Sequence, residues 1–301
     1  MSNSRRADAI RFCTLQPGIQ RSLDALAPRP DIVHIQCPSV QTAPLVLFAK
    51  RHRLPLVLTS QGEVVMDANQ VYQRSYYSRL VFRIAARSAA ALTACSAWTA
   101  VQCAAYSPRF LHATVIPNGV DPAQWDACPA TDQPVLCMWG RHVQQKGFDL
   151  AIAAFALLRR RIPEARLLIG GGGDESSRLQ ASAGEGVEFV GPLDRVGVLA
   201  LLARSRVVVV PSRVEPFGIV ALEALAAGRG LVYARGTGLA EAAGDLGRPA
   251  DVHDPNALAD AMAAELAEPT PPATGQAWAR LHSWSELCGR YLEVYARAGA
   301  R

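Results

Sequence analysis

The stretch R-V-E-P-F-G-I-V-A-L-E-A-L-A-A-G, from Arg213 to Gly228, decides the fold prediction for this chain. Four valines at residues 207–210 precede it, a pattern typical of a strand buried on both faces. Pro216 suits a first helical turn, and the Ala-rich residues 219–227 predict a helix that Gly228 ends. A strand, a loop and a helix start in succession predict a ligand site, because free N–H groups and the helix dipole face its occupant.

Two carboxylates, Glu215 and Glu223, lie in this stretch. Carboxylates repel phosphate but accept hydrogen bonds from hydroxyl groups. The two carboxylates therefore predict partners rich in hydroxyl groups, such as a sugar and a ribose. Taken alone, the two residues favour a solvated loop and the wet face of an ordinary helix, and it is the surrounding string that favours a site.

The whole string resembles the donor-binding signature of glycosyltransferase family 4, a Glu, seven residues and a second Glu, with Pro-Phe-Gly after the first. Other segments are similar to the family's N-terminal strand, its hinge, its diphosphate-binding pair and two later strands; they are residues 30–34, residues 115–121, Gly140-Arg141 with Lys146-Gly147, residues 168–170 and residues 187–191. The resemblance implies an α/β protein of the GT-B type, with two Rossmann-like domains whose parallel sheets face a cleft. It also implies a retaining glycosyltransferase that uses a nucleotide diphosphate sugar.

Strand-like segments alternate with helical periodicity, which predicts parallel, doubly wound sheets. The strands are expected at residues 32–35, 56–59, 91–94, 114–116, 135–139, 166–170, 187–190, 207–210 and 231–234. Asp149 is the expected N-cap of a helix that Pro163 ends. By the resemblance, residues 1–117 form a shortened N-terminal domain on the acceptor side and residues 118–283 bind the nucleotide sugar. Residues 284–301 form a helix that returns towards the first domain.

Two cations are candidates for the catalytic work on the leaving group. Cleaving a sugar from a nucleotide diphosphate leaves negative charge on the β-phosphate, so fixed positive charges beside it lower the barrier. Arg141 and Lys146 follow the strand at residues 135–139, at the end where doubly wound sheets bind ligands. Arg offers a planar fork to two phosphate oxygens and Lys a mobile point charge.

The resemblance assigns the remaining donor contacts. Glu223 is assigned to the ribose hydroxyls, and Glu215 to the donor sugar together with the backbone N–H groups of Phe217, Gly218 and Ile219. The glycines at 170–173 are expected to let the backbone pass close to the nucleotide, and Gly191 and Leu193 to line the base pocket. No D-x-D sequence occurs, so we expect no metal or other cofactor and an activity that survives EDTA.

Two features depart from the family pattern. Gln61 stands where the family usually has a His that contacts the donor sugar, and Gln can hydrogen-bond but cannot take a proton at neutral pH. The resemblance implies a reaction in which the leaving phosphate receives the acceptor proton, so Gln61 is a catalytic candidate. The family's opening strand and glycine-rich loop have no match in residues 1–11, which predicts an incomplete N-terminal domain.

Positive charge is concentrated before Cys128, where 13 Lys plus Arg face 7 Asp plus Glu. Arg79, Arg83 and Arg87 fall on one helical stripe with aromatic residues nearby. A solvated face is the favoured interpretation, and peripheral contact with an anionic membrane is the alternative. The patch is too small to indicate nucleic acid.

The remaining composition indicates a reducing compartment. Seven cysteines without a C-x-x-C pair argue against a disulfide framework or a zinc site. No apolar run approaches the length of a membrane-spanning helix and no leader pattern opens the chain. We expect a cytoplasmic protein, with contact at the inner face of the membrane as the alternative.

Two other classes of function stay open. The first is a catalytically silent sugar-nucleotide-binding subunit or truncated paralogue, which Gln61 and the short N-terminal half favour. The second is another enzyme on a similar scaffold, such as a nucleotide-sugar epimerase or a phosphorylase. Lys50 and Lys146 are the only lysines, and neither has a recognisable pyridoxal-phosphate context.

Overall fold

The computed structural model describes residues 17–39, 42–66, 71–125 and 131–299. The chain forms two compact units. The first unit consists of the chain up to Ile116 together with the segment that starts at Cys288. The second unit is Pro117–Leu287. The predicted incompleteness of the N-terminal domain concerns residues 1–11, which lie outside the described residues.

The first unit is built on a four-stranded parallel sheet in the order β1-β2-β3-β4. Its strands are β1 (Val33–Gln36), β2 (Leu56–Ser60), β3 (Ala91–Ala94) and β4 (Thr114–Val115). Residues 17–24 are helical, and the later helices are α1 (Thr42–His52), α2 (Glu63–Met66), α3 (Val71–Arg74), α4 (Tyr76–Ser88) and α5 (Ala97–Ala104), followed by a 3₁₀ turn at Pro108–His112. Every residue of β2 is buried, as expected of a parallel strand with both faces covered.

The second unit contains a six-stranded parallel sheet in the order β10-β9-β8-β5-β6-β7. The strands are β5 (Val135–Arg141), β6 (Arg166–Gly172), β7 (Val187–Gly191), β8 (Val207–Val210), β9 (Gly230–Ala234) and β10 (Arg248–Ala250). Counted within the unit and read from the β7 edge, this is the 3-2-1-4-5-6 order of the Rossmann fold, whose strand order reverses between the first and fourth strands. The reversal lies here between β5 and β8.

Helices connect these strands, as parallel pairing requires. They are α6 (Phe148–Arg159), α7 (Ser176–Ser182), α8 (Arg195–Ala203), α9 (Ile219–Ala226), α10 (Leu239–Ala243), α11 (Pro255–Ala267), α12 (Pro272–Leu281) and α13 (Trp284–Ala298), with 3₁₀ turns at Pro122–Gln124 and Gln144–Lys146. Helix α13 begins in the second unit and ends in the first. In the first unit its Val294 packs with Val57 and Ile116.

All nine predicted strands are found, with ends that shift by at most two residues. The sequence did not indicate β10, because three residues that include Pro249 carry no strand pattern. The helix predicted at residues 219–227 is confirmed as α9, and Pro216 lies before it, since Gly218 holds a φ of 91° that a helix does not allow. Within residues 268–274, α12 begins at Pro272, and the buried Thr270 donates to Glu265 through both its backbone N–H and its hydroxyl.

In the described ranges, no helix combines the length and the apolar character needed to cross a bilayer.

Candidate functional site

The loops that follow β5 and β8 meet at the point where the strand order reverses. Open α/β sheets bind ligands outside the carboxyl ends of their strands at such a point. The loop after β5 carries Lys146, and the loop after β8 carries Ser212 and Glu215. The topology therefore brings together residues that are far apart in the sequence.

Close backbone contact holds these two loops side by side. Gly147 has a φ of 68°, and a Cβ atom there would lie 2.0 Å from the carbonyl oxygen of Pro211. The backbone N–H of Arg213 donates to the carbonyl of Gln145 at 2.8 Å. Only glycine fits at position 147, because a side chain would both collide with the next loop and strain the backbone.

The Lys146 ammonium and the Glu215 carboxylate form an ion pair at this junction. Lys146 Nζ lies 2.6 Å from Glu215 Oε2, and the two side chains are 21% and 9% exposed. The Ser212 hydroxyl donates to the same oxygen at 3.1 Å. An ammonium and a nearly buried carboxylate thus occupy the junction of the two loops.

A second ion pair, Arg213 with Asp149, supports the same junction. Both guanidinium nitrogens Nη1 and Nη2 donate to the Asp149 carboxylate at 2.8 Å, a bidentate geometry that fixes both partners. The expectation that Asp149 caps α6 was wrong. The N-cap is Gly147, and Asp149 lies in the first turn, where its carboxylate holds Arg213.

Arg141 and Gly140 end β5 beside the end of β6. The Arg141 side chain is exposed and has no ion pair within the described part of the chain. A Cβ on Gly171 would lie 1.9 Å from the carbonyl oxygen of Gly140. The glycines at residues 170–173 therefore let two strand ends approach each other.

His142, which the sequence did not indicate, follows Arg141 and is buried. Its ring nitrogens meet the Ser176 hydroxyl at 2.9 Å and the Gly170 carbonyl at 3.3 Å. Burial lowers the pKa of His142. A neutral imidazole in these contacts tethers the end of β5 to β6 and α7.

The start of α9 presents backbone N–H groups at the same edge of the sheet. Gly218 is its N-cap and makes no side-chain cap hydrogen bond, so the first amides of the helix have no side-chain acceptor at that residue. A Cβ on Gly238 would lie 1.9 Å from the Pro216 carbonyl oxygen, and the Gly238 N–H donates to the Glu215 carbonyl at 2.8 Å. The loop that carries Phe217 and Gly218 is thus pressed against the loop before α10.

Glu223 lines a cavity of about 520 Å³ in the second unit. Burial raises the pKa of Glu223 to about 7, and the positive charge of Arg195 opposes that rise. The Arg195 guanidinium lies 4.0 Å above the ring of Trp125 and donates to Gln124. Trp125 itself is 1% exposed, so Arg195 rests on a rigid aromatic surface beside Glu223.

Six of the predicted site residues fall into three pairs. Lys146 and Glu215 are in direct contact, and Glu223 and Ile219 line the cavity. Gly191 and Leu193 do not line it, and Leu193 packs instead against Gly170.

Gln61 belongs to the first unit, where it follows β2 and donates its backbone N–H to Glu63 Oε2 at 2.8 Å. Sequence reasoning missed both Glu63 and Arg195. Each is a charged residue just beyond the carboxyl end of a predicted strand, and that placement was the available signal.

Two family models match the chain. The model described as "Glycosyl transferases group 1" covers residues 133–268, and the model described as "Glycosyl transferase 4-like domain" covers residues 4–119. The chain is 34% identical over 292 residues to a glycogen synthase of Mycobacterium tuberculosis, covering 90% of this chain and 69% of the relative. It is 29% identical over 288 residues to a phosphatidyl-myo-inositol mannosyltransferase of Propionibacterium freudenreichii, covering 89% and 71%.

Two solved structures illustrate the shared fold. HepE of Anabaena, in complex with UDP and glucose, has a TM-score of 0.79 and 19% identity, covering 95% of this chain and 83% of HepE. Sucrose-phosphate synthase of Thermosynechococcus elongatus has a TM-score of 0.74 and 23% identity, covering 95% and 78%. The two parallel sheets of this chain are therefore those of the GT-B fold.

Proposed function

Since this chain belongs to glycosyltransferase family 4, we propose that it moves a sugar from a nucleotide diphosphate sugar to an acceptor hydroxyl with retention at the anomeric carbon. The observation that carries this proposal is the junction of the β5 and β8 loops. There a lysine, a nearly buried glutamate and a row of helix-start amides converge at the strand-order reversal.

The diphosphate is bound by Arg141 and Lys146. As the bond between the sugar and the β-phosphate breaks, negative charge grows on that phosphate, and cations already in place stabilise it. Lys146 is held by Glu215 before the donor arrives and can share its ammonium with a phosphate oxygen without moving far. Two protein cations supply the charge that a metal ion would otherwise provide.

The hydroxyl groups of the donor are bound by the two glutamates. Glu223 accepts from the ribose hydroxyls in the cavity beside Arg195, and Glu215 accepts from the sugar. The backbone N–H groups of Phe217, Gly218 and Ile219 complete the sugar and phosphate contacts, with Gly140 leaving room for the diphosphate. Gly191 and Leu193 remain the candidates for contact with the base.

Gln61 binds the donor sugar through its side-chain amide and transfers no proton. In the retaining step the acceptor oxygen bonds to the anomeric carbon while the bond to the β-phosphate oxygen breaks. The acceptor hydroxyl gives its proton to that leaving phosphate. No protein base is required, so a Gln at this position is compatible with turnover.

A panel of nucleotides and products tests this function. We expect one of UDP, GDP or ADP, with its sugars, to raise the melting temperature, and proton NMR of the product to show the anomeric configuration of the donor. Transfer should survive EDTA. Stabilisation without transfer to any glycan or lipid acceptor would identify a silent binding subunit, and conversion of the donor without an acceptor would identify an epimerase.

We also propose that the exposed face of α4 contacts an anionic membrane, which suits a lipid-linked acceptor. Tyr76, Leu80 and Ile84 are exposed at helical spacing, and Arg83 and Arg87 are exposed beside them. Arg79 is less available, because it donates to the backbone carbonyls of α3 residues. Apolar side chains flanked by arginines have the chemistry of an interfacial helix.

Vesicle flotation tests this surface. The protein should float with vesicles that contain anionic lipid at low salt and not with zwitterionic vesicles. The variant Arg87→Glu, which reverses one exposed charge of this face, should weaken flotation and keep its melting temperature. Absence of the wild-type protein from anionic vesicles at low salt would refute the contact.

A further inference from the structure

Glu63 closes the turn that carries Gln61. It is the first residue of α2, directly beyond β2, and its Oε2 accepts from the backbone N–H of Gln61 at 2.8 Å. The next backbone N–H, that of Gly62, donates to the hydroxyl of Ser60 at 3.3 Å. Two side chains therefore shape this turn, and one of them can be protonated.

The other oxygen of Glu63 has no partner. Among the described residues nothing hydrogen-bonds to Oε1, and water does not reach it. A carboxylate oxygen buried without a donor costs free energy, and the cost falls when the group becomes neutral. The Glu63 carboxyl is thus poised between a charged form that the turn favours and a neutral form that the buried Oε1 favours.

Within the described ranges, the titratable groups that face Glu63 are thiols from three neighbouring elements. Cys37 follows β1, Cys95 follows β3 and Cys103 lies on α5, and the Glu63 charge contributes to raising the pKa of each. Helix α3 also packs against α2, and its Arg74 makes no ion pair with Glu63 in the described ranges. Neutral thiols carry no positive charge that would stabilise the buried Glu63 carboxylate.

The position of this turn connects it to the reaction. The carboxyl ends of parallel strands are where α/β units bind their ligands, and Gln61 is the residue that leaves β2 at that end. We propose that Glu63 is a positioning residue: its carboxylate fixes the turn so that the Gln61 amide is held in its productive orientation, and protonation of Glu63 loosens the turn and slows transfer. This inference rests on the proposed function, in which Gln61 contacts the donor sugar.

The direction of the pH effect follows from the environment of the carboxyl. Burial raises the pKa of Glu63 to about 7, against the opposing hydrogen bonds from backbone N–H groups and Ser60. The carboxylate is the stronger acceptor for the Gln61 N–H. Turnover should therefore rise with pH through 7, by about tenfold from pH 6 to pH 8 for a single group of this pKa.

The kinetic test compares kcat at saturating donor across pH 5.5 to 8.5 for the wild type, Glu63→Gln and the exposed control Glu164→Gln. Glu63→Gln keeps an acceptor for the Gln61 N–H but cannot ionise, so its kcat should lose the rise near pH 7 that the wild type and the control show. Because kcat is measured with donor bound, the ionisation of Glu223 should instead appear in the KM for the donor. An unchanged kcat profile in Glu63→Gln would overturn the inference.

A second measurement needs no activity. In protein labelled with ¹⁵N-glutamine, the Gln61 amide resonance should move with pH at the same midpoint and should stop moving in Glu63→Gln. A Gln61 amide that does not titrate in the wild type overturns the inference, whether or not the variant folds. An amide that titrates in a protein without transferase activity supports the contact and shows that the proposed function is what failed.

Discussion

The Lys146 ammonium lies 2.6 Å from the Glu215 carboxylate, although the two residues are 69 positions apart in the chain. The contact joins the loops after β5 and β8, neighbouring strands that the chain visits with two others between them. The pair thus ties together two loops at the point where the strand order reverses.

Replacing Lys146 with Met should lower kcat by about 10²- to 10³-fold, because the leaving phosphate loses a fixed cation. The matched control is Lys50→Met, which removes the other lysine of the chain from an exposed position in the first unit. Steady-state kinetics at saturating donor check both variants. A decrease in kcat of less than about threefold in Lys146→Met would show that Lys146 is not a catalytic residue.

Nucleotide-sugar binding should strengthen with pH through 7, because burial raises the pKa of Glu223 to about 7 and ribose hydroxyls donate better to a carboxylate. A nucleotide sugar is the suitable probe, since its diphosphate has no proton that titrates in this range. We expect Kd at pH 8 to be about tenfold below Kd at pH 6, and a pH-independent Kd in Glu223→Gln. A wild-type Kd that does not change with pH would exclude this role for Glu223.

The same ionisation predicts the stability of the Glu223→Gln variant. The folded state binds the Glu223 proton more tightly than the unfolded chain does, so the contribution of Glu223 to the free energy of unfolding falls as pH rises from about 4.5 to about 7. Glu223→Gln should therefore be more stable than the wild type at pH 8, by up to about 3 kcal/mol, and equal to it at pH 4. Denaturant unfolding at the two pH values measures the difference, in which the contribution of Glu63 cancels.

Arg195→Met should shift the pH midpoint of nucleotide-sugar binding upward, because it removes the positive charge that opposes the raised pKa of Glu223. Arg195→Lys keeps a charge but loses the planar stacking on Trp125. Its pH midpoint should lie between those of Arg195→Met and the wild type. Calorimetric titrations at several pH values give the midpoints. Identical midpoints in all three proteins would show that Arg195 does not act on Glu223.

Gly147→Ala should destabilise the second unit by more than about 2 kcal/mol, because a β-carbon would meet the Pro211 carbonyl in a left-handed backbone conformation. Gly184→Ala is the control, since a Cβ there meets nothing within 4 Å. Urea unfolding of the two variants measures the difference. Equal stabilities would mean that the junction of the two loops can open without cost.

Much of the fold could be predicted because parallel strands buried on both faces leave apolar, β-branched runs such as residues 207–210. Strand order could not be read from these runs, since the pairing of β5 with β8 is a long-range contact. The strand β10 was not predicted, because it has only three residues and one of them is a proline.

The candidate site was predicted only where residues follow recognisable strands. The contact of Lys146 with Glu215 agrees with their assignment to one site, because each lies just beyond a strand end. The role of Asp149 was misjudged because its partner, Arg213, comes from a distant loop. The ionisation of Glu63 and Glu223 depends on burial, which no local sequence pattern reports.

Calorimetric titration with the stabilising nucleotide sugar tests the central claim most directly, namely that the second unit holds the donor through Arg141, Lys146 and Glu223. We predict that Arg141→Ala and Glu223→Ala each weaken binding by at least about tenfold, the loss of one charge-assisted contact, while Glu164→Ala leaves it unchanged. Wild-type affinity in both site variants would contradict the account.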